Sequence, residues 1–239
     1  MIKKRLFISC LFIALISCSK ESSLVQDQNV TVTKVSTTVR HSLDDKLFNA
    51  KTGEPISMEE FSKMIKENPT IGLDKIYDKY GNPEKFLYNP DEPSKNYSRR
   101  DPSLQPQIGQ KFPDFTFTTI ANKEISSEEM LGKWVIVRFD FFADKMDIDN
   151  YVSFSEEINK VSKSANLTTV LCSLDTKENI DRELSMFSDV IHLVGDGQGF
   201  FAKYHITRMP TTILIDPSQN VVSYLDKDSY SEIQSLIHP

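Results

Sequence analysis

From Ile108 to the C-terminus, short apolar runs alternate with longer stretches whose apolar residues return every three or four positions. The first pattern predicts buried strands and the second predicts amphipathic helices. Residues 115–120 then form a first strand, and 134–142 (WVIVRFDFF) a strongly apolar one suited to a sheet centre. Residues 150–165 place Val152, Phe154, Ile158, Val161 and Ala165 on one helical face. A strand over 167–174, a helix over 177–187, a short strand over 190–194 and a short helix over 200–204 come next. Two strands, 211–215 and 221–225, meet across Asp216-Pro217-Ser218-Gln219-Asn220, and a helix over 231–237 ends the chain. Strands alternating with helices predict an α/β fold, a central sheet with helices packed on it.

Upstream, residues 43–89 read as a small helical segment. Ser57 with Glu60 three residues on makes a capping box that opens a helix with Met58, Phe61, Met64 and Ile65 on one face. Asn68-Pro69 closes it, because a residue before proline avoids helical angles. A second short helix is predicted over 73–80, with Ile76, Tyr77 and Tyr80 on one side and Gly81 as the stop. The segment is too short for a secure core of its own, so it is expected to dock on the larger C-terminal part of the chain. Residues 90–107 hold four prolines among polar groups and read as a linker to a domain spanning 108–239.

The N-terminus changes the setting. Met1-Ile2-Lys3-Lys4-Arg5 is a basic head, and residues 6–16 form an apolar run too short to cross a bilayer. Leu15-Ile16-Ser17-Cys18 resembles the bacterial lipobox, which implies a signal peptide over 1–17 and acylation of Cys18. Residues 18–42, rich in Ser, Thr, Gln and Val, read as a tether. The expected location is the cell envelope, on an outer membrane facing periplasm or surface, with lipid as the membrane partner.

Charge and cysteine count then narrow the chemistry. The chain carries −6 overall, and losing Lys3, Lys4 and Arg5 leaves 25 basic against 34 acidic residues. So acidic a body repels phosphate backbones, and no nucleic-acid partner is expected. Of three cysteines, Cys10 lies in the signal, Cys18 carries the lipid and Cys172 remains alone, so the mature chain cannot close an intramolecular disulfide.

Three stretches resemble the thioredoxin-like and redoxin family, in particular the membrane-anchored thiol-disulfide proteins of bacterial envelopes. Ile108-Gly109-Gln110-Lys111-Phe112-Pro113-Asp114-Phe115 is similar to the family's opening G-x-x-x-P-D-F. Leu131-Gly132-Lys133-Trp134-Val135-Ile136-Val137-Arg138-Phe139 is similar to its entry into the central strand, and Met209-Pro210-Thr211-Thr212-Ile213-Leu214-Ile215-Asp216 to its P-T-T motif. The resemblance implies a thioredoxin-like fold over 108–239, with a mixed sheet flanked by helices. It also implies a redox pair, Cys-x-x-Cys, where the central strand gives way to a helix, since a helix start stabilises a thiolate.

Here that pair is missing. Aligned on Phe139, its positions fall at about Asp144 and Asp147, and the single-cysteine peroxidase motif is absent too. A carboxylate cannot carry out dithiol exchange, so no catalytic residue is assigned and no cofactor or metal is expected. Asp144, Asp147 and Asp149 would instead complement a helix dipole; as metal ligands they lack the glycine and distal glutamate of a calcium loop. Met209, Pro210 and Thr211 form the candidate binding loop, where the resemblance implies a cis peptide bond before Pro210 and backbone groups free to pair with an extended peptide. The expected function is a redox-inactive binding or scaffold module for a polypeptide or envelope protein. The alternative is a thiol oxidoreductase working through Cys172 alone, although its setting (TVLCSL) is that of a buried strand. His192 and His205 have no recognisable partner in the sequence, and Gly195-Asp196-Gly197-Gln198-Gly199 reads as a turn.

Overall fold

The computed structural model describes residues 43, 45–94, 100–187 and 189–238. The expected signal peptide, the lipidation site Cys18 and the tether lie outside the described residues.

The N-terminal part contains one helix and a three-stranded sheet, where the sequence suggests helices only. β1 is Leu47–Asn49, α1 Met58–Glu67, β2 Leu73–Tyr77 and β3 Pro83–Tyr88. α1 starts where expected: the Ser57 side chain accepts from the Glu60 N–H, and Asn68 closes the helix by donating to the Met64 carbonyl. The second predicted helix is instead a hairpin. β2 pairs antiparallel with β3, which in turn pairs parallel with β1. The turn decides the outcome, because Asp78 Oδ1 accepts from both Tyr80 N and Asn82 N, and Gly81 adopts φ +79°. That geometry reverses the chain within five residues and offers β2 a partner in Pro83–Tyr88. Ile76 and Tyr80, read as one helical face, are exposed. The buried cluster is Leu47, Phe61, Ile71 and Phe86, small enough that the hairpin leans on the rest of the chain.

The C-terminal part shows the expected alternation. β4 (Thr116–Thr118) and β5 (Glu124–Ser126) form a hairpin that the sequence pattern does not resolve. Then come β6 (Trp134–Asp140), α2 (Ile148–Val161), β7 (Leu167–Ser173), α3 (Lys177–Leu184), β8 (Ile191–Val194), α4 (Gln198–Lys203), β9 (Thr211–Ile215), β10 (Val221–Leu225) and α5 (Ile233–Ile237). The sheet order is β10-β9-β6-β7-β8, with β6, β7 and β8 parallel and β9 antiparallel to both β6 and β10. Both faces are covered, as the uninterrupted apolar strands require. Val135, Val137 and Phe139 point into one core with β4, β5 and α4, while Ile136 joins Phe154, Ile158, Leu214 and Ile233 in the other.

The stretch read as a linker is partly a strap. Arg100 Nη1 donates to the Ile206 carbonyl at 2.8 Å, Gln105 Nε2 donates to the His205 carbonyl, and Tyr224 OH donates to the Pro106 carbonyl. Composition marks residues 100–107 as polar and proline-rich, but Arg100, Gln105 and the Pro106 carbonyl each find a partner on the domain.

His205 anchors this strap. It sits at φ +51°, and its Nδ1 accepts from the Asp101 N–H at 3.2 Å, which needs the neutral ring. Burial, with Arg100 adding to it, holds the His205 pKa below the ordinary value against the opposing Asp101 and Asp74. His192 is lowered by burial and by Lys123. Both rings therefore take up protons more readily in the unfolded chain. Their contribution to stability is complete above the unfolded value of about 6.5 and is lost as the pH falls through the folded values. The urea midpoint is expected to be lower at about pH 5.5 than at about pH 7.5. His205→Asn, which tolerates positive φ and keeps an acceptor, should remove part of that drop; an unchanged slope would mean His205 does not titrate with folding.

Candidate functional site

The candidate residues gather at one end of the sheet because of strand register. Phe139 of β6 pairs with Thr211 of β9, and Asp140 pairs with Ser173 of β7. Residues just beyond Asp140, just before Thr211 and just after Ser173 therefore share one sheet end. The Met209–Pro210 bond is cis, as the resemblance implies. Met209 packs partly buried against the Phe139 core, and Thr211 Oγ1 donates to the Arg208 carbonyl at 2.8 Å. A shallow groove opens beside this loop, lined by Gln105, Arg208, Pro210, Thr212, Tyr224 and Asp226.

The two aspartates occupy different structural positions. Asp147 caps α2, its Oδ1 accepting from the Asn150 N–H at 3.0 Å, and Asp149 lies in the first turn. Asp144 does not sit at that helix start. It belongs to a separate 3-10 turn, Ala143–Lys145, and pairs with Lys145 at 2.9 Å on the surface. Buried Met146 between them breaks the helix register, so only Asp147 and Asp149 complement the α2 dipole.

Beneath this end lies a polar network that the sequence pattern does not point to. Arg138 and Asp140 are on one face of β6, the guanidinium fully buried and the carboxylate 2% exposed. Arg138 Nε and Nη2 both donate to Asp140 Oδ2, at 2.9 and 2.6 Å. Nη1 donates to Asn150 Oδ1 and to Tyr230 OH, and the guanidinium lies 4.8 Å from the Phe154 ring centroid. The signal available in the sequence is two opposite charges two residues apart inside an apolar strand, which period-two alternation puts on one face.

Asp175, after β7, is the second anchor. Its carboxylate accepts from Ala143 N, Thr176 N and Asn179 Nδ2 at 2.9–3.0 Å. Burial works to raise its pKa, but the bonds from Asn179, Ala143 and Thr176, with the charge of Arg182, hold it below the ordinary aspartate value. It stays ionised at neutral pH and ties the β7–α3 loop to the loop after β6.

Cys172 lies on β7, fully buried, and burial alone pushes its thiol pKa far above the ordinary value. A Cβ at Gly197 would come within 2.5 Å of its sulfur, so Gly197 closes over it. A nucleophilic thiol needs thiolate character and access, and Cys172 has neither. Among the described residues no group of three or more His, Cys, Asp or Glu could hold a metal ion. No helix among them is long and apolar enough to cross a membrane.

The AhpC/TSA family profile matches residues 108–224. Among solved structures, the thioredoxin domain of a thiol-disulfide oxidoreductase from Bacteroides vulgatus is 20% identical, covering 55% of this chain and 98% of its own, with a TM-score of 0.45. A thioredoxin-family thiol:disulfide interchange protein from Chlorobium tepidum is 20% identical over 56% of this chain and 99% of its own, at 0.43. Arabidopsis thaliana ScoI with copper bound is 18% identical over 54% and 99%, at 0.45. No curated protein matches the chain. The fold is the expected thioredoxin-like one, a mixed sheet flanked by helices.

Proposed function

We propose that the protein is a lipid-anchored envelope protein that uses the region matching the AhpC/TSA family profile, residues 108–224, to bind a polypeptide, without thiol chemistry. The observation that carries the reading is the state of the loop after β6. Asp144 and Asp147 stand at the aligned positions of the redox pair, and buried Cys172 is the one described cysteine. Electron transfer therefore lacks its reagents, while the Met209–Pro210–Thr211 loop remains beside an open groove. Backbone groups at such a loop pair with extended chains whether or not a cysteine is near. The acyl chains expected on Cys18 would hold the domain at a membrane, and the residues after it would supply reach.

The reading is tested by placing a photo-crosslinking residue at Met209 in the full-length lipoprotein and irradiating intact cells. One discrete crosslinked polypeptide is expected, absent when the crosslinker stands at Met186, a side chain 80% exposed. Smears of equal intensity at both positions would sink the reading.

A further inference from the structure

Away from the Met209 loop, a cleft of about 280 Å³ opens between the turn of the N-terminal hairpin and the edge of the larger sheet. Its lining comes from three places: Tyr80 and Asn82 of the turn, Thr116 and Thr118 of β4, and Lys177 with Gly195 beyond the ends of β7 and β8. Phe117 packs into the core around Phe139, so the pleat turns Thr116 and Thr118 the other way, into the cleft that both line. Thr116 is 3% exposed, yet its hydroxyl has no hydrogen-bond partner. A hydroxyl withdrawn from water without a partner is costly. Lys177 opens α3, and neither its N–H nor its ammonium has a partner among the described residues. The N-cap Thr176 accepts from Asn179 N instead, which leaves the Lys177 N–H as an orphan donor of the first turn. Gly195 lets this helix start come close, since a Cβ there would lie 2.7 Å from the Lys177 nitrogen. Carboxylates on the neighbouring elements do not fill the cleft. Asp78 accepts from Tyr80 N and Asn82 N, and Asp175 from Ala143, Thr176 and Asn179. Neither lines it, nor do Glu124, Glu178 and Asp196.

We infer that this cleft binds the carboxylate of a small monoacid with a compact apolar body, a second ligand that does not depend on the polypeptide-binding reading. The groups without partners are donors: the Lys177 N–H, its ammonium and the Thr116 hydroxyl. An ionised carboxylate only accepts, and it would give each of them what it lacks. The start of α3 favours negative charge at the same place. One cation lines the cleft, so a single negative charge is balanced there, whereas a phosphate dianion would bring a second one without a counter-charge. The apolar body follows from Val194, Phe200 and the Tyr80 ring, the last 44% exposed. The volume lies below the roughly 300–1,000 Å³ of sites for drug-sized molecules, so the acid is small. Lys177 follows β7 and Gly195 follows β8, which puts the cleft at the carboxyl ends of two parallel strands, where ligands of α/β sheets gather.

The experiment follows fluorine NMR line widths of para-fluorobenzoate and of its neutral isostere para-fluorobenzamide, each titrated against the full chain in detergent. Saturable broadening of the benzoate is expected, with the amide weaker by about tenfold or more. Lys177→Met should weaken the benzoate by about tenfold, and Thr116→Val by about threefold or more. Thr116→Val also separates binding from structure. Valine keeps the shape and removes a hydroxyl that is unpartnered without ligand, so the urea midpoint of the unliganded chain should not fall while binding weakens. Amide binding equal to that of benzoate, no saturable broadening at about 10 mM, or benzoate binding unaffected by Lys177→Met overturns the inference. So does a lower midpoint in Thr116→Val, which would mean that the hydroxyl is already paired. Inorganic phosphate displacing the probe better than unlabelled benzoate would overturn the assignment to a carboxylate. The Met209 crosslink is expected to be the same in Thr116→Val as in the parent, and its loss there would mean that the cleft is not a separate site.

Discussion

Replacing Arg138 by methionine is expected to lower the unfolding free energy by about 3–5 kcal/mol, read as a lower urea midpoint at unchanged slope. Methionine keeps an apolar stem of similar length against Phe154, so lost packing is a small part of the effect. The larger part is electrostatic. The Asp140 carboxylate, 2% exposed, would keep one donor, the Phe141 N–H, and lose the guanidinium that neutralises it. Asn150 Oδ1 and Tyr230 OH, 3.0 Å apart, would be left to each other. A buried charge whose partner has gone is far worse than no charge at all. Arg138→Met combined with Asp140→Leu is therefore expected to recover most of the loss, falling short by roughly 1 kcal/mol for the acceptor withdrawn from Phe141 N. A single variant within about 1 kcal/mol of the parent would mean the pair is not buried as described.

That pair also marks the limit of what the pattern of apolar and polar positions can reveal. Period-two alternation identifies the central strand, because Val135, Val137 and Phe139 have to share a face. The same rule puts Arg138 and Asp140 together on the opposite face. Their partners, however, come from Asn150 and from Tyr230, ninety-two residues away, and no local pattern links these. Cys172 is legible as a core residue because it continues the apolar run Val170-Leu171 of a short buried strand. The hairpin over 73–88 is not, since Ile76, Tyr77 and Tyr80 satisfy a helical spacing by coincidence. The Asp78 turn and the pairing with β3 override it.

The candidate site divides along the same line. The cis bond before Pro210 follows from resemblance, and register alone then places that loop beside the end of β6. The separation of Asp144 from Asp147 does not follow, because it depends on Met146 turning inward between them. Nor does the role of Asp175, whose side chain bridges two loops thirty-two residues apart. Local rules recover what a segment does to itself, whereas a site made where loops meet is fixed by contacts between segments.

Gly199→Ala should be the most damaging of the small substitutions, because it acts where two backbones touch. A Cβ at 199 would overlap the Gly81 carbonyl oxygen and lie 2.8 Å from its carbon. Neither neighbour is a side chain that can swing away. The hairpin turn is held from several sides: Lys203 Nζ donates to the carbonyls of Asp78 and Asp114, and Thr116 N donates to the Lys79 carbonyl at 2.7 Å. To admit one methyl group, the turn must leave α4 and give up these bonds. Overpacking of this kind costs about 3 kcal/mol, and the hairpin over 73–88 should become sensitive to limited proteolysis before the rest of the chain. Gly53→Ala is the control. Its φ of +73° makes alanine strained, yet nothing lies within 4 Å of the new methyl, so a loss of about 1 kcal/mol and no new cleavage are expected. Were Gly199→Ala no worse than Gly53→Ala, the N-terminal sheet would not be seated on α4. If it is several times worse, residues 45–94 do not merely precede the thioredoxin-like domain, because their hairpin is packed into it.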